Sequence, residues 1–268
     1  MSPLLVLPAP LPSTSITLGQ LITDPVYADS DSLRPFQPPT HTTSNVQPKY
    51  QDTISHDEYG RFISTCFISK LAGQAHYSHQ NLLLLDADKM SHSTIDRPAT
   101  VFDQLRRDST TRSFLRNMAR DNIPVYFVTG VQTLRNASFK RAVVEHGVLT
   151  EATSPSFRLP VRRVDSASNI IASAPKDTET EEILLAVQLL KVKCRIGASS
   201  EPHCVSDLDY EWSYHTLQDD DLQLSIGLGK ALRQDELKTL AGMADTERGS
   251  ERSWSSTYSE SEDGIGGF

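Results

Sequence analysis

Two apolar runs flanking an amphipathic helical stretch, within residues 81–133, constrain this chain more than any other feature. Leu82, Leu83, Leu84 and Leu85 make the first run, and Pro124-Val-Tyr-Phe-Val-Thr129 makes the second. The second is dense in β-branched and aromatic residues and opens on a proline, which has no backbone donor and suits the first residue of a strand. It predicts a strand reaching to about Leu134. Between the runs, Val101, Phe102 and Leu105 mark one apolar helical face and Phe114, Leu115 and Met118 a second, with 109–111 as a break between two helices. Arg112, Arg116 and Arg120 recur at i, i+4 and i+8, which places them in one cationic stripe.

Elsewhere the pattern is mostly strand. Residues 61–71 and 77–86 read as the arms of a hairpin about Ala72-Gly73-Gln74, each about ten residues long. Residues 138–144 read as a further strand. In 190–196, Leu190, Val192, Cys194 and Ile196 alternate with Lys191, Lys193 and Arg195, a clean period of two. Residues 183–189 are apolar on both faces except Gln188, as in a buried strand or the end of a helix begun at Thr178, with strand the favoured reading, and a second hairpin would use 138–145 and 183–193. Residues 1–12 predict an extended arm, 16–22 a short helix or strand, and 26–51, rich in Pro, Ser, Thr and Asp, a loop. Residues 207–212 read as another strand end, followed by the acids of 219–221 and the segment 222–232.

Net charge is −8, and 234–268 holds eight acids and three bases, so 1–233 carries only −3. That acidic tail loses apolar periodicity and reads as a loosely attached appendage to a domain of 1–233. Within 134–163 the sign reverses, with Arg135, Lys140, Arg141, Arg158, Arg162 and Arg163 against Glu145 and Glu151. The overall charge argues against a general nucleic-acid binder, while the basic segments suit anionic lipid head groups. Three cysteines, Cys66, Cys194 and Cys204, cannot form a fully paired framework, which favours a reducing compartment. The apolar N-terminus lacks a basic region and is interrupted by Pro3, Pro8, Pro10 and Pro12, so no signal peptide is expected, and no run approaches the ~18 to 20 apolar residues of a membrane helix.

The sharpest enzymatic pattern is the leucine run followed by Asp86-Ala-Asp88, with Val125-Tyr-Phe-Val128 followed by Thr129. It resembles the first two motifs of haloacid-dehalogenase-type phosphohydrolases, with Lys140 and the acids of 219–221 as the remaining groups. Lys89 and Met90 replace that family's glycine and small hydroxyl, and 219–221 follows no apolar strand. Asp86 and Asp88 are better read as ending a strand in a polar turn. His203 and Cys204 with Cys194 lack paired zinc-ligand spacing, and Gly227-Leu-Gly-Lys230 lacks the phosphate-loop pattern. No catalytic residue, cofactor or metal is expected.

A family resemblance organises the remainder. The leucine run, Phe102-Asp-Gln-Leu-Arg-Arg107 and Val125-Tyr-Phe-Val-Thr-Gly-Val-Gln-Thr133 resemble the strand, helix and "YVVTEVLQT"-type strand of the gasdermin pore-forming domain. Ile16-Thr-Leu-Gly-Gln-Leu-Ile-Thr-Asp-Pro25 and the strand after Thr180 look like the fungal gasdermin-like regulators of cell death in heterokaryon incompatibility. Gly130 stands where many animal members have Glu. The resemblance implies an α+β fold, a twisted and mainly antiparallel sheet with packed helices, that forms a β-barrel pore on oligomerisation. It leaves no room for the large inhibitory C-terminal domain of animal gasdermins, and implies activation by clipping a tail or by meeting an incompatible partner.

The expected function is membrane permeabilisation in allorecognition, without enzymatic activity. Its partners would be acidic membrane phospholipids and further copies of the chain or an allelic variant, with no nucleic acid. The chain would be cytoplasmic when inactive and on the plasma membrane or other acidic membranes when assembled. Lipid contact falls to Arg112, Arg116, Arg120, Arg135, Lys140, Arg141, Arg158, Arg162 and Arg163. Membrane insertion falls to Phe62, Ile63, Cys66, Phe67, Ile68 and Leu71 on one arm and Leu82, Leu83, Leu84 and Leu85 on the other, with Val143, Val144, Leu185, Val187 and Leu189 in the second hairpin. The alternatives are the phosphohydrolase using Asp86 and Asp88, and a non-lytic lipid- or protein-binding module.

Overall fold

The computed structural model describes residues 3–27, 31–66, 81–145, 148–151, 181–198, 200, 207–217 and 222–243. The chain runs β1 (Leu5–Pro12), β2 (Leu21–Ile22), β3 (Ser32–Leu33), β4 (Thr42–His56), β5 (Phe62–Cys66) and β6 (Leu82–Ile95). Two helices follow, α1 (Pro98–Leu105) and α2 (Ser109–Arg120), then β7 (Val125–Arg135), β8 (Ser138–Glu145) and β9 (Val148–Glu151). Last come β10 (Glu182–Ala198), β11 (Glu211–Thr216), β12 (Leu222–Ala231) and α3 (Gln234–Leu240).

Among the described residues the strands form one 12-stranded sheet whose main path is β11-β12-β10-β7-β6-β4-β5, with β1 joined to β10, β2 to β7, β3 to β2, β8 to β6 and β9 to β8. Every strand pairing in it is antiparallel. β6 is its long central rail. β4 pairs with it from Thr42↔Ile95 to Ser55↔Leu82, while its other side passes from β8 (Leu82↔Ala142 to Asp86↔Ser138) to β7 (Lys89↔Arg135 to Thr94↔Gly130). β7 and β8 therefore run one after the other along a single neighbour. The step between them is at Asn136, which takes φ 52°, a left-handed conformation that asparagine tolerates better than most residues.

The helices arise where the spacing places them, and the expected break has a chemical cause. Pro98 stands in the first turn of α1, where its missing N–H costs nothing. Asp108 caps α2, its carboxylate accepting from the Thr111 N–H at 2.8 Å, a bond that an interior helical position would not allow. Thr111, Leu115 and Met118 form the buried face of α2. Leu115 and Met118 pack with Phe102 of α1 on Phe127 and Val125 of β7 and Val192 of β10, and the Phe102 and Phe127 rings lie 5.3 Å apart. A second cluster joins β1 and β10 to α3 through Leu5, Leu7, Val187, Leu189 and Leu237. A third holds Phe62, Leu83, Leu85, Leu134 and Leu185.

Four expectations change. Residues 61–71 and 77–86 do not pair as a hairpin within the described residues, because β4 lies between β5 and β6: Ile54 faces Thr65 on one side and Leu83 on the other. Nor does β8 pair with β10; it lies between β6 and β9. The expected loop at 26–51 contains most of β4, whose first eight residues are exposed and polar enough to hide a strand. The acidic tail does not begin at 234, since α3 is helical and places Leu237 at 0 % and Met243 at 8 % exposure. The N-terminal arm is a strand of the sheet, joined to β10 at Leu5↔Val187 and Val6↔Ala186.

Candidate functional site

The arginine stripe is built by one helix turned on its apolar side. With Leu115 and Met118 anchored inward, Arg116 and Arg120 are exposed and Arg112 is half-buried, and none of the three has an ion-pair partner among the described residues. Arg112 stands near enough to His215 on β11 to act on its charge: burial first, then Arg112 and Arg106, hold that imidazole below its ordinary value. Arg106 is not available to a ligand in the same way. It pairs with Asp103 at 2.5 Å and donates to the Glu211 carbonyl at 3.3 Å.

The basic residues do not form one patch. β7 starts just after α2 and runs eleven residues to Arg135, roughly 33 Å at the rise of a strand. Arg135 is exposed at its far end, and Lys140 and Arg141 lie farther along the same line on β8. Arg158, Arg162 and Arg163 lie outside the described residues. The described basic residues thus fall into two separated groups, one on α2 and one at and beyond the end of β7.

Of the nine expected insertion residues whose side chains are described, seven are buried in the core. Phe62, Leu83, Leu85 and Leu185 share one buried cluster, and Val187 and Leu189 belong to another. Leu82 is buried, while Ile63 and Leu84 are half-buried. Cys66, Val143 and Val144 lie in described strands, although their side chains are outside the described set, and Phe67, Ile68 and Leu71 lie outside the described residues altogether. Burying one such side chain contributes about 1.5 to 3 kcal/mol, so any insertion that uses them must first exchange these contacts for lipid.

The phosphohydrolase geometry does not form. Asp86 and Asp88 sit inside β6, exposed on its surface, rather than after the end of a strand. Asp88 accepts from the Asn136 side chain at 2.7 Å. Thr129 is buried and its hydroxyl donates to the Gln188 carbonyl at 3.3 Å. β6 and β7 are antiparallel, whereas two motifs at the same end of neighbouring strands require parallel ones. The acids of 219–221 lie outside the described residues.

One cleft was not foreseen. A cavity of about 500 Å³ opens where β7 begins, between the α2–β7 turn, β10, Tyr210 and α3. Its walls carry Ile123, Val192 and Leu232 with Lys191, Lys193 and Tyr126. Both lysines are paired: Lys191 with Glu236 at 2.6 Å and Lys193 with Asp207. Burial works against the Glu236 carboxylate, but the bonds from Lys191 and the Arg233 N–H prevail and hold its pKa below the usual value. Burial raises the Tyr126 phenol, reinforced by Asp24 and Glu236, and burial pushes the Cys194 thiol up to about 12. The lysines were legible as the polar face of β10; their partners come from distant sequence and were not.

Tyr210 has its place only because Gly229 has no side chain. A Cβ there would stand 2.4 Å from the Tyr210 ring. Gly229→Ala is expected to expel the ring and cost about 1 to 3 kcal/mol, read as a lower thermal midpoint. An unchanged midpoint would mean that the wall of the cleft moves freely. No family model matches the chain, and no curated protein matches it.

Proposed function

We propose that this chain permeabilises membranes, assembling on acidic phospholipids into an oligomeric β-barrel that executes cell death in fungal allorecognition. The resemblance to the gasdermin pore-forming domain supplies the function. The observation that supports it is strand length: β10, β7, β6 and β4 are neighbours of 17, 11, 14 and 15 residues. An ordinary strand has about 5 to 6 residues, and a tilted membrane strand about 9 to 11. None of the described helices is long and apolar enough to cross a membrane, so strands are the route this reading requires.

Oligomerisation follows from hydrogen bonding. Residues 42–52 of β4 pair with β6 but have no second neighbour among the described residues. Such an edge is not stable in hydrocarbon, where unpaired amides and carbonyls cost several kcal/mol each, so copies of the chain must close a ring. The resting form is cytoplasmic and the assembled form lies on the plasma membrane or another acidic membrane.

The test is dye release from acidic vesicles, with neutral vesicles and a phosphatase assay alongside. Leakage confined to acidic vesicles, with ring-shaped particles by electron microscopy, is the expected result. The 500 Å³ cleft favours the second reading, a non-lytic lipid- or protein-binding module. Vesicle binding with no leakage under any condition would replace the pore with that module, and phosphatase activity would overturn both.

A further inference from the structure

An acid is sealed into the apolar layer beneath the central strands. Asp52 is 1 % exposed. It lies between Tyr50 and Ile54 on β4, and alternation places it on the face those residues share, where both pack with Phe62, Leu83 and Leu85. Its hydrogen bonds come from its own strand, from the Tyr50 hydroxyl at 2.8 Å and the Thr53 N–H at 2.7 Å. No cation bonds to it among the described residues. Two donors leave part of a carboxylate's accepting capacity unmet, and an unpaired buried charge is among the costliest things a fold can hold.

Tyr50 also bonds to Gln132 of β7, which is 4 % exposed. The cross-strand partner of Gln132 is His92 of β6, whose Nε2 is buried with no hydrogen-bond partner. Asp52, Tyr50 and Gln132 are thus linked by hydrogen bonds, and His92 stands opposite Gln132 on the next strand. From the other elements packed in that layer come Val6 of β1, Phe62 of β5, Phe139 of β8 and Leu185 and Ala186 of β10, and no charged group is among the causes that move the Asp52 pKa. Arg141 shares the Phe139 face of β8 by alternation, but it is exposed.

We propose that Asp52 is a proton-binding site that controls how firmly the β4–β6 layer is held. With its proton on, the acid is neutral and the layer is closed. When the proton leaves to bulk water, a carboxylate with no cation remains among apolar side chains and the layer loosens. The consequence for membrane insertion rests on the pore reading above; the proton site does not.

Burial raises the Asp52 pKa above its ordinary value, and the bonds from Tyr50 and Thr53 offset it only in part. Such a group gives stability that is complete below its unfolded value and lost as pH rises through its folded value. His92 acts oppositely. Burial lowers its pKa, so its contribution is complete above the ordinary histidine range and lost as pH falls through the lowered value.

Urea midpoints of the full chain and of Asp52→Asn, measured from about pH 4 to about pH 8, test the site, since the loss sets in at the ordinary Asp value and runs upward from it. The parent midpoint should fall relative to Asp52→Asn as pH rises. Carbon-13 NMR of the parent's Asp carboxyls gives a reading that needs no variant: one carboxyl should titrate above the ordinary range. Parallel midpoint curves, or no such carboxyl, would overturn the proposal, and the NMR reading decides alone if the variant fails to fold. On acidic vesicles, parent leakage should quicken with pH and Asp52→Asn should lag several-fold. Equal leakage by both at every pH would remove the regulatory role; no leakage by either would remove the pore reading and leave the proton site to the stability and NMR results.

Discussion

Ending the chain at Arg233 is expected to unfold the domain or lower its urea midpoint sharply, whereas ending it at Met243 should leave the fold in place. α3 fastens three separate parts of the sheet. Leu237 is fully buried among Leu5, Leu7, Val187 and Leu189. The Gln234 side chain accepts from the Val6 N–H at 2.9 Å and donates to the Val6 carbonyl at 3.1 Å, taking the place of a strand partner just where the β1 register breaks. Glu236 holds Lys191, and Arg61 reaches the Ala241 carbonyl at 3.2 Å. Removing Leu237 and Met243 costs about 1.5 to 3 kcal/mol each, and each backbone group of Val6 left buried without a partner costs about 1 to 3 more. Against a typical total of 5 to 15 kcal/mol, that loss is decisive. Circular dichroism and urea titration of both truncations measure it. If the chain ending at Arg233 melts like the parent, α3 is an appendage after all.

The sequence could not announce α3, and the reason is physical. The helix has seven residues, too few to display a period, and a piece that short is stable only through the surface it packs on. β4 was hidden differently. Its first eight residues, Thr42 to Lys49, are exposed, so no alternation marks them; what makes them a strand is the hydrogen-bonded ladder to β6, which depends on residues far along the chain. Elements with one face in the core were legible. β7 and α2 fell where Val125, Phe127, Leu115 and Met118 placed them, and the alternation of β10 held from Leu190 to Ile196.

Pairing was the least legible layer. Apolar runs at 61–71 and 77–86 suggest neighbours in space because they are neighbours in sequence, yet β4 takes the position between them. The site shows the same division. Spacing by four was enough to find the stripe of Arg112, Arg116 and Arg120, because a helix fixes which of its own residues share a face. That Lys140 and Arg141 lie far from the stripe depends on the length and direction of β7, which spacing within either segment does not carry. Asp52 reads as one more polar residue in Tyr50-Gln-Asp-Thr-Ile54 until burial shows which face of β4 is inside.

Replacing Arg112, Arg116 and Arg120 together by glutamine is expected to weaken binding to acidic vesicles by about 2 to 3 kcal/mol, roughly 30- to 150-fold, at low salt. Each arginine contributes on the order of 1 kcal/mol near an anionic surface, and Arg112, half-buried beside His215, gives the smallest share. The fold should persist, because Thr111, Leu115 and Met118 form the buried face of α2 and glutamine is as good a helix former as arginine to within a few tenths of a kcal/mol. Lys140→Gln with Arg141→Gln supplies the contrast, since those residues belong to the other basic group. If both groups touch the membrane at once, the two variants weaken binding by similar factors and their effects add; if α2 alone makes first contact, only the triple variant does. Cosedimentation over a salt series reads this directly, because exposed charge is screened beyond about 8 Å at physiological ionic strength. An independent check is the His215 titration: removing Arg112 removes one of the charges holding its pKa down, so the pKa should rise in the triple variant. Unchanged affinity for acidic vesicles together with that rise would show that the stripe was correctly placed but does not face the lipid.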